Sequence, residues 1–168
     1  MYLRKGKLYS HFKAIKSTIM DLSTFYGWFG VNSASLIDAN KDNNMGDSAM
    51  IAWANLSQWT ILFFAGMVIS AVIFVVYYYT DYNNQPKRHY TPNQWMIMGL
   101  IMIAWVFVLT FGCAYCIERT DAINGLIALE LKLSLCNTIY AAGIYLLVSF
   151  IWCNVPELPT NAYRILKI

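Results

Sequence analysis

Apolar residues are concentrated in three long blocks, and none of these blocks contains Lys, Arg, Asp, Glu or His. The blocks cover 59–79, 95–117 and 133–155. A helix needs about 20 consecutive apolar residues to cross a bilayer, so each block is long enough to do so. The pattern predicts an all-α integral membrane protein with three transmembrane helices, preceded by an N-terminal basic amphipathic helix.

The polar segments between the blocks carry signals for helix ends. Thr91 and Gln94 flank Pro92 in the pattern of a capping box, which predicts that the second transmembrane helix begins at Pro92. Asp47 is predicted to cap the first long helix, and Pro156 to stop the last one. The predicted segments are an amphipathic interfacial helix at 1–30, a polar loop at 31–46, a helix with the first transmembrane segment at 47–79, a loop at 80–91, the second transmembrane helix at 92–117, a connector with helical character at 118–132, the third transmembrane helix at 133–155 and a tail at 156–168.

The N-terminal segment combines an apolar stripe with basic residues. Apolar side chains recur at helical spacing and share one face: Leu8, Phe12, Ile15, Ile19, Leu22 and Tyr26. Basic residues occur there without an acid among the first twenty residues: Arg4, Lys5, Lys7, Lys13 and Lys16. This predicts a helix on an anionic membrane surface, with these basic residues, Lys87 and Arg88 near lipid headgroups. The alternative is an ordinary helix packed on a partner protein.

Composition supports the membrane assignment and narrows the compartment. The chain is 58% hydrophobic and 12% charged, against about 25% charged residues in soluble domains. This excludes a soluble globular enzyme, a disordered protein and a secreted disulfide scaffold.

The acid-free basic start also resembles a mitochondrial presequence, which favours the mitochondrial inner membrane, with a bacterial inner membrane as the alternative. Eight Lys and Arg on one side against four on the other predict an N-terminus on the matrix or cytoplasmic side.

The cysteines are the residues whose spacing most suggests chemistry. Cys113 and Cys116 form a C-x-x-C pair, which can form a disulfide, exchange with a redox partner or bind metal. In this motif the chain resembles small membrane thiol oxidases of the vitamin K epoxide reductase type, which have four crossings rather than three. Ile117 in place of His excludes a c-type haem. We interpret all four cysteines as reduced packing residues, with a redox role of Cys113 and Cys116 as the alternative.

Two other polar features have structural interpretations. Asp38 to Asn44 carries oxygen ligands at alternate positions, as an EF-hand loop does, but its twelfth position is Ala49 instead of Glu. We interpret it as a polar loop. Asn137 is expected to bond to a neighbouring helix. Because the three blocks contain no ionisable group, we expect no proton relay, no metal and no cofactor site in this chain.

Small residues in the blocks predict surfaces for helix packing. They recur at a spacing of four and so form short ridges: Gly66 with Ser70, Gly112 with Cys116, and Ser134 with Thr138 and Ala142. Small residues at this spacing let helix backbones approach closely in lipid.

Two function classes fit these features. The first is a non-catalytic accessory subunit, structural and lipid-binding, of a large multi-subunit membrane complex of the respiratory-chain or ATP synthase type. Its expected partners are other membrane subunits and phospholipids, with anionic lipid such as cardiolipin favoured and nucleic acid excluded. The second is a small membrane thiol oxidoreductase that uses Cys113 and Cys116.

Overall fold

All secondary structure in the described part of the chain is helical. The computed structural model describes residues 22–42, 44–82, 92–118, 122–155, 157–158 and 166. The elements are α1 (Leu22–Tyr26), a 3-10 turn (Gly27–Phe29), α2 (Ser33–Asp38), α3 (Gly46–Gln58), α4 (Thr60–Tyr77) with a π-helical end (Tyr78–Tyr82), α5 (Pro92–Ile117) and α6 (Leu126–Asn154).

Three of these helices are long and apolar enough to cross a membrane. The candidate spans are Thr60–Tyr82, Asn93–Ile117 and Leu126–Asn154. The predicted helix start at Pro92 is confirmed, and the third helix ends at Asn154, one residue before the predicted end. The prediction of an all-helical chain with three apolar helices is therefore confirmed for the described residues. The proposed capping residue Thr91 and nearly all of the tail lie outside them.

The first long helix differs from the prediction because it is divided at Trp59. The Trp59 N–H donates to the carbonyl oxygen of Leu56 at 3.1 Å, a tighter turn than an α-helix makes. The Thr60 hydroxyl donates to the carbonyl oxygen of Ser57 at 2.8 Å and so satisfies a group that the break exposes. Asp47 is not the cap: α3 follows Met45, and Asp47 lies in its first turn, where a carboxylate favours the helix dipole.

Two further helix boundaries differ from the predicted ones. The predicted polar loop contains α2, which is capped by the Asn32 side chain accepting from the Ser35 N–H at 2.9 Å. The predicted connector turns at Gly125, whose φ of +79° favours glycine. The helix α6 starts directly after it, so the last seven residues of the connector, 126–132, belong to α6.

The chain divides into two compact units, each with its own core. Unit 1 comprises 1–61 and 114–132, and unit 2 comprises 62–113 and 133–168. The unit 1 core contains side chains from α1, α2, α3, the start of α6 and the segments just before α2 and α6: Leu22, Tyr26, Val31, Leu36, Ala49, Ala52, Trp53, Leu56, Ile123, Leu126 and Leu129. The unit 2 core contains Met67, Ala71, Val75, Tyr78, Tyr79, Met98, Met102, Val106, Ala141, Tyr145 and Cys153.

Candidate functional site

The central polar contact of unit 2 joins two candidate membrane spans. The Asn137 side-chain amide on α6 donates to the Thr110 hydroxyl on α5 at 3.2 Å. Asn137 is fully buried and Thr110 is nearly so. The prediction that Asn137 bonds to a neighbouring helix is confirmed. A buried amide must find such a partner because hydrocarbon offers none.

A second set of contacts ties the start of α5 to α6. The Trp95 indole N–H donates to the Ser149 hydroxyl at 3.2 Å, and the Tyr145 hydroxyl donates to the backbone oxygen of Trp95 at 3.0 Å. The aromatic ring of Tyr145 lies over Gly99, where an added Cβ would be 3.2 Å from its Cε1 atom. The absence of a side chain at Gly99 thus allows Tyr145 to reach the backbone of α5.

The tyrosines at the end of α4 are partly buried in protein. Tyr79 and Tyr78 are almost fully buried, whereas Tyr77 is 45% exposed. The Tyr79 hydroxyl lies 3.3 Å from the sulfur of Cys153, and its ring stacks on Trp152 at 5.9 Å with an interplanar angle of 12°. An aromatic ring at a membrane interface has to be exposed, and of these three tyrosines only Tyr77 is.

The predicted small-residue ridges occupy different environments. Ser134 is buried, and its backbone oxygen accepts a bond from the Thr138 hydroxyl at 2.8 Å. Ala142 is half-buried, as is Ser70. A Cβ added at Gly66 or at Gly112 would meet nothing within 4 Å. The described residues therefore leave space beside these two glycines, and their role in packing against another helix stays a prediction.

All four cysteines lie in the described part of the chain, and none of them is in a disulfide. Cys113 and Cys116 are exposed near the end of α5, whereas Cys136 and Cys153 are buried in unit 2. Cys136 thus serves as an apolar packing residue, and Cys153 packs against the Tyr79 hydroxyl. Among the described residues, no group of three His, Cys, Asp or Glu side chains could hold a metal ion.

In unit 1, a buried asparagine connects two segments that are far apart in sequence. The Asn40 side-chain nitrogen donates to the backbone oxygen of Asn124 at 2.9 Å and to that of Leu36 at 2.8 Å. In return, the Asn124 N–H donates to the side-chain oxygen of Asn40 at 2.8 Å. The sequence had suggested a solvated loop here, and it gave no signal that Asn40 would be fully buried.

Unit 1 also contains a buried carboxyl group that sequence reasoning missed. Glu130 on α6 is 1% exposed and interacts electrostatically with Glu118. The side-chain oxygen Oε1 of Glu118 accepts a hydrogen bond from the Asn55 amide. Glu130 falls within the third candidate span because α6 begins at Leu126. The only signal in the sequence was the apolar character of the connector around it.

The lipid-headgroup contacts were predicted for seven basic residues. They lie outside the described residues: Arg4, Lys5, Lys7, Lys13, Lys16, Lys87 and Arg88. Of the predicted N-terminal apolar stripe, Leu22 and Tyr26 are described, and both are fully buried in the unit 1 core. These two residues therefore contact protein and not lipid.

Large apolar side chains are exposed along each candidate span. On α4 they include Ile61, Leu62, Ile69 and Ile73, on α5 Leu100, Trp105 and Val108, and on α6 Leu135, Ile139, Leu146 and Leu147. Such faces are typical of helices that meet lipid or other membrane helices. No protein-family model, curated protein or solved structure matches this chain.

Proposed function

We propose that this chain is a non-catalytic accessory subunit of a large multi-subunit membrane complex, in which it packs against other membrane subunits and binds phospholipid. The observation that carries the proposal is that polar side chains of the spans bond inside the protein while apolar side chains are exposed. Polar side chains such as Asn137, Trp95 and Tyr145 bond within the protein, while apolar side chains such as Leu100 and Val108 are exposed. This arrangement supports a role in packing.

Open space beside two glycines supports the presence of neighbouring subunits. Gly66 on α4 and Gly112 on α5 have no atom near the position of a Cβ. Each belongs to a ridge of small residues, and such ridges let a second helix approach closely in lipid. A partner helix that packs on either ridge would fill space that this chain leaves open.

The proposed compartment is the mitochondrial inner membrane, in an assembly of the respiratory-chain or ATP synthase type. The acid-free basic start of the chain supports it. The same basic residues, together with Lys87 and Arg88, would favour anionic phospholipid such as cardiolipin. A subunit of a bacterial inner-membrane machine is the alternative, with the N-terminus on the matrix or cytoplasmic side in either case.

The test is purification of the tagged chain from its native membrane in a mild detergent. The expected result is a stable set of integral membrane proteins that co-purify in fixed proportion. Phospholipid should co-purify with them, with anionic species enriched over the bulk membrane. Recovery of the chain alone, as a monomer, would contradict the proposal.

The second candidate function is a membrane thiol oxidoreductase. The exposure of both Cys113 and Cys116, one helical turn apart, favours it. Changing both residues to Ser separates the two proposals. An accessory subunit should still assemble with its partners and support their activity, whereas a thiol oxidoreductase should lose its activity while assembly is unchanged.

A further inference from the structure

We propose that Trp28, together with Phe29, contacts the interface of an anionic lipid bilayer. This deepens the proposed lipid-binding role and rests on it, because it requires the chain to lie in a membrane. Trp28 is 73% exposed, more than any other large hydrophobic side chain among the described residues. The exposed surface of an indole is costly in water and favourable at a membrane interface.

The local backbone presents Trp28 on a short, well-defined turn. Gly30 closes the 3-10 turn with a φ of +75°, and its N–H donates to the Gly27 oxygen at 2.9 Å. The rings of Trp28 and Phe29 are 4.5 Å apart. On the preceding helix α1, Leu22 and Tyr26 are fully buried in the unit 1 core. The core therefore anchors α1, and the turn that follows carries the exposed Trp28 and the half-buried Phe29.

The indole N–H of Trp28 is already satisfied inside the protein. It donates to the backbone oxygen of Phe25 at 3.1 Å. An indole that enters a less polar phase must keep a bond for this group, since a lost hydrogen bond opposes the transfer. Trp28 can thus move its ring into the headgroup region while the bond to Phe25 remains.

This turn belongs to the unit that contains the span ends on one side of the membrane. Unit 1 includes the first residues of the first candidate span, the last residues of the second and the first residues of the third. Three successive crossings bring these three ends to the same side of a bilayer. The ends are at Thr60, Ile117 and Leu126.

Charge complementarity identifies the lipid as anionic. The first twenty residues carry five Lys and Arg and no acid, and Asp21 alone separates them in sequence from α1. Each basic residue close to an anionic surface contributes about 1 kcal/mol to binding. An anionic bilayer therefore suits the segment that contains Trp28 better than a zwitterionic bilayer or an acidic membrane protein does.

Fluorescence quenching by brominated lipid tests this proposal on the full-length chain. The wild type and Trp28→Phe are reconstituted in vesicles of phosphatidylglycerol and brominated phosphatidylcholine, and the difference between their spectra gives the Trp28 emission. Trp53→Phe and Trp105→Phe give matched reference spectra, for a buried tryptophan of unit 1 and for one 51% exposed on the second span. Unchanged thermal unfolding of each variant shows that it folds.

We expect bromine placed near the headgroups to quench Trp28 about twofold or more over Trp53, because interfacial tryptophans lie at headgroup depth. Replacing phosphatidylglycerol with phosphatidylcholine should reduce this quenching, and added salt should do the same. Trp105 should be quenched best by bromine deep in the acyl chains.

Three results would overturn the inference. Trp28 emission that bromine leaves unchanged but aqueous iodide quenches places the indole in water. Emission that neither agent quenches indicates a protein contact, and equal quenching in zwitterionic vesicles removes the anionic preference.

If the Trp105 emission is quenched in these cases, the chain is still in the bilayer and only this inference fails. If neither Trp28 nor Trp105 is quenched by bromine, the proposed membrane role fails as well.

Discussion

Asn40 and Asn124 bind each other in both directions. The Asn40 side-chain amide donates to the Asn124 backbone oxygen at 2.9 Å, and the Asn124 N–H donates to the Asn40 side-chain oxygen at 2.8 Å. An asparagine side chain offers the donor and acceptor pair that a peptide group offers, so it can close a reciprocal contact of this kind. The pair joins the residues after α2 to the turn before α6, which are 84 positions apart.

Removing the Asn40 side chain should therefore destabilise unit 1. Asn40→Ala removes three hydrogen bonds, two to the backbone of Asn124 and one to that of Leu36, which we expect to cost about 1–3 kcal/mol of unfolding free energy in total. Asn40→Asp should also destabilise, because it loses the amide donor and introduces a charge. Thermal unfolding of the chain in detergent measures both effects. Asp42→Ala, at an exposed position, is the control. An Asn40→Ala variant as stable as this control would show that the bonds between Asn40 and Asn124 do not stabilise unit 1.

The contact between Gly99 and Tyr145 predicts a position-specific effect of added methyl groups. Gly99→Ala brings a Cβ to 3.2 Å from the Tyr145 ring, and overpacking of this kind costs about 1–3 kcal/mol. Gly143→Ala adds the same methyl group on α6, where nothing lies within 4 Å. It should be neutral or stabilising, because Ala favours a helix over Gly by about 1 kcal/mol. Comparable unfolding temperatures for the two variants would contradict the observed helix contact.

The bond between Asn137 and Thr110 should be modest in energy. Hydrogen bonds between membrane helices contribute about 0.6 kcal/mol on average, with a maximum of about 1.7 kcal/mol. A double-mutant cycle of Asn137→Ala and Thr110→Val isolates this term. Unfolding by denaturant in mixed micelles gives the four free energies that it needs. A coupling energy of zero would mean that the two side chains are not bonded in the folded chain.

Burial of Glu130 beside Glu118 predicts that a neutral replacement is tolerated. Glu130→Gln keeps the size of the side chain and removes a charge that is costly to bury. We expect the unfolding temperature to fall by less than about 2–4 °C, which corresponds to about 1 kcal/mol for a chain of this size. Glu157→Gln, at an exposed position, should have no effect. A larger fall in the unfolding temperature of Glu130→Gln would show that the negative charge is needed in the folded state.

The sequence was most informative where structure depends on local pattern. The three apolar helices followed from runs of residues without charge, and the helix start at Pro92 followed from proline itself, which lacks the N–H that a helix interior needs. Asn137 could be predicted to bond across helices because an amide within an apolar block has few other ways to be satisfied.

Features that depend on tertiary contacts were missed. The break at Trp59 lies inside the predicted helix 47–79, at the first residue of the first apolar block, and neither a proline nor a glycine marks it in the sequence. Asn40 lies in a segment that looks solvated and Glu130 in an apolar connector, and both are buried within unit 1. Periodicity along one segment says nothing of which distant segment will cover it.

We propose that this chain works as one subunit among several in a membrane complex. Native electrophoresis of mild-detergent extracts tests it most directly, with wild type compared against a Gly66→Leu and Gly112→Leu double variant. The isolated chain should tolerate both changes, because neither added side chain meets an atom near its Cβ. We expect the wild type to migrate far above the position of the single chain with its detergent. The double variant should be largely released from the complex as a monomer. Wild-type protein that migrates as a monomer in the mildest extract would contradict it.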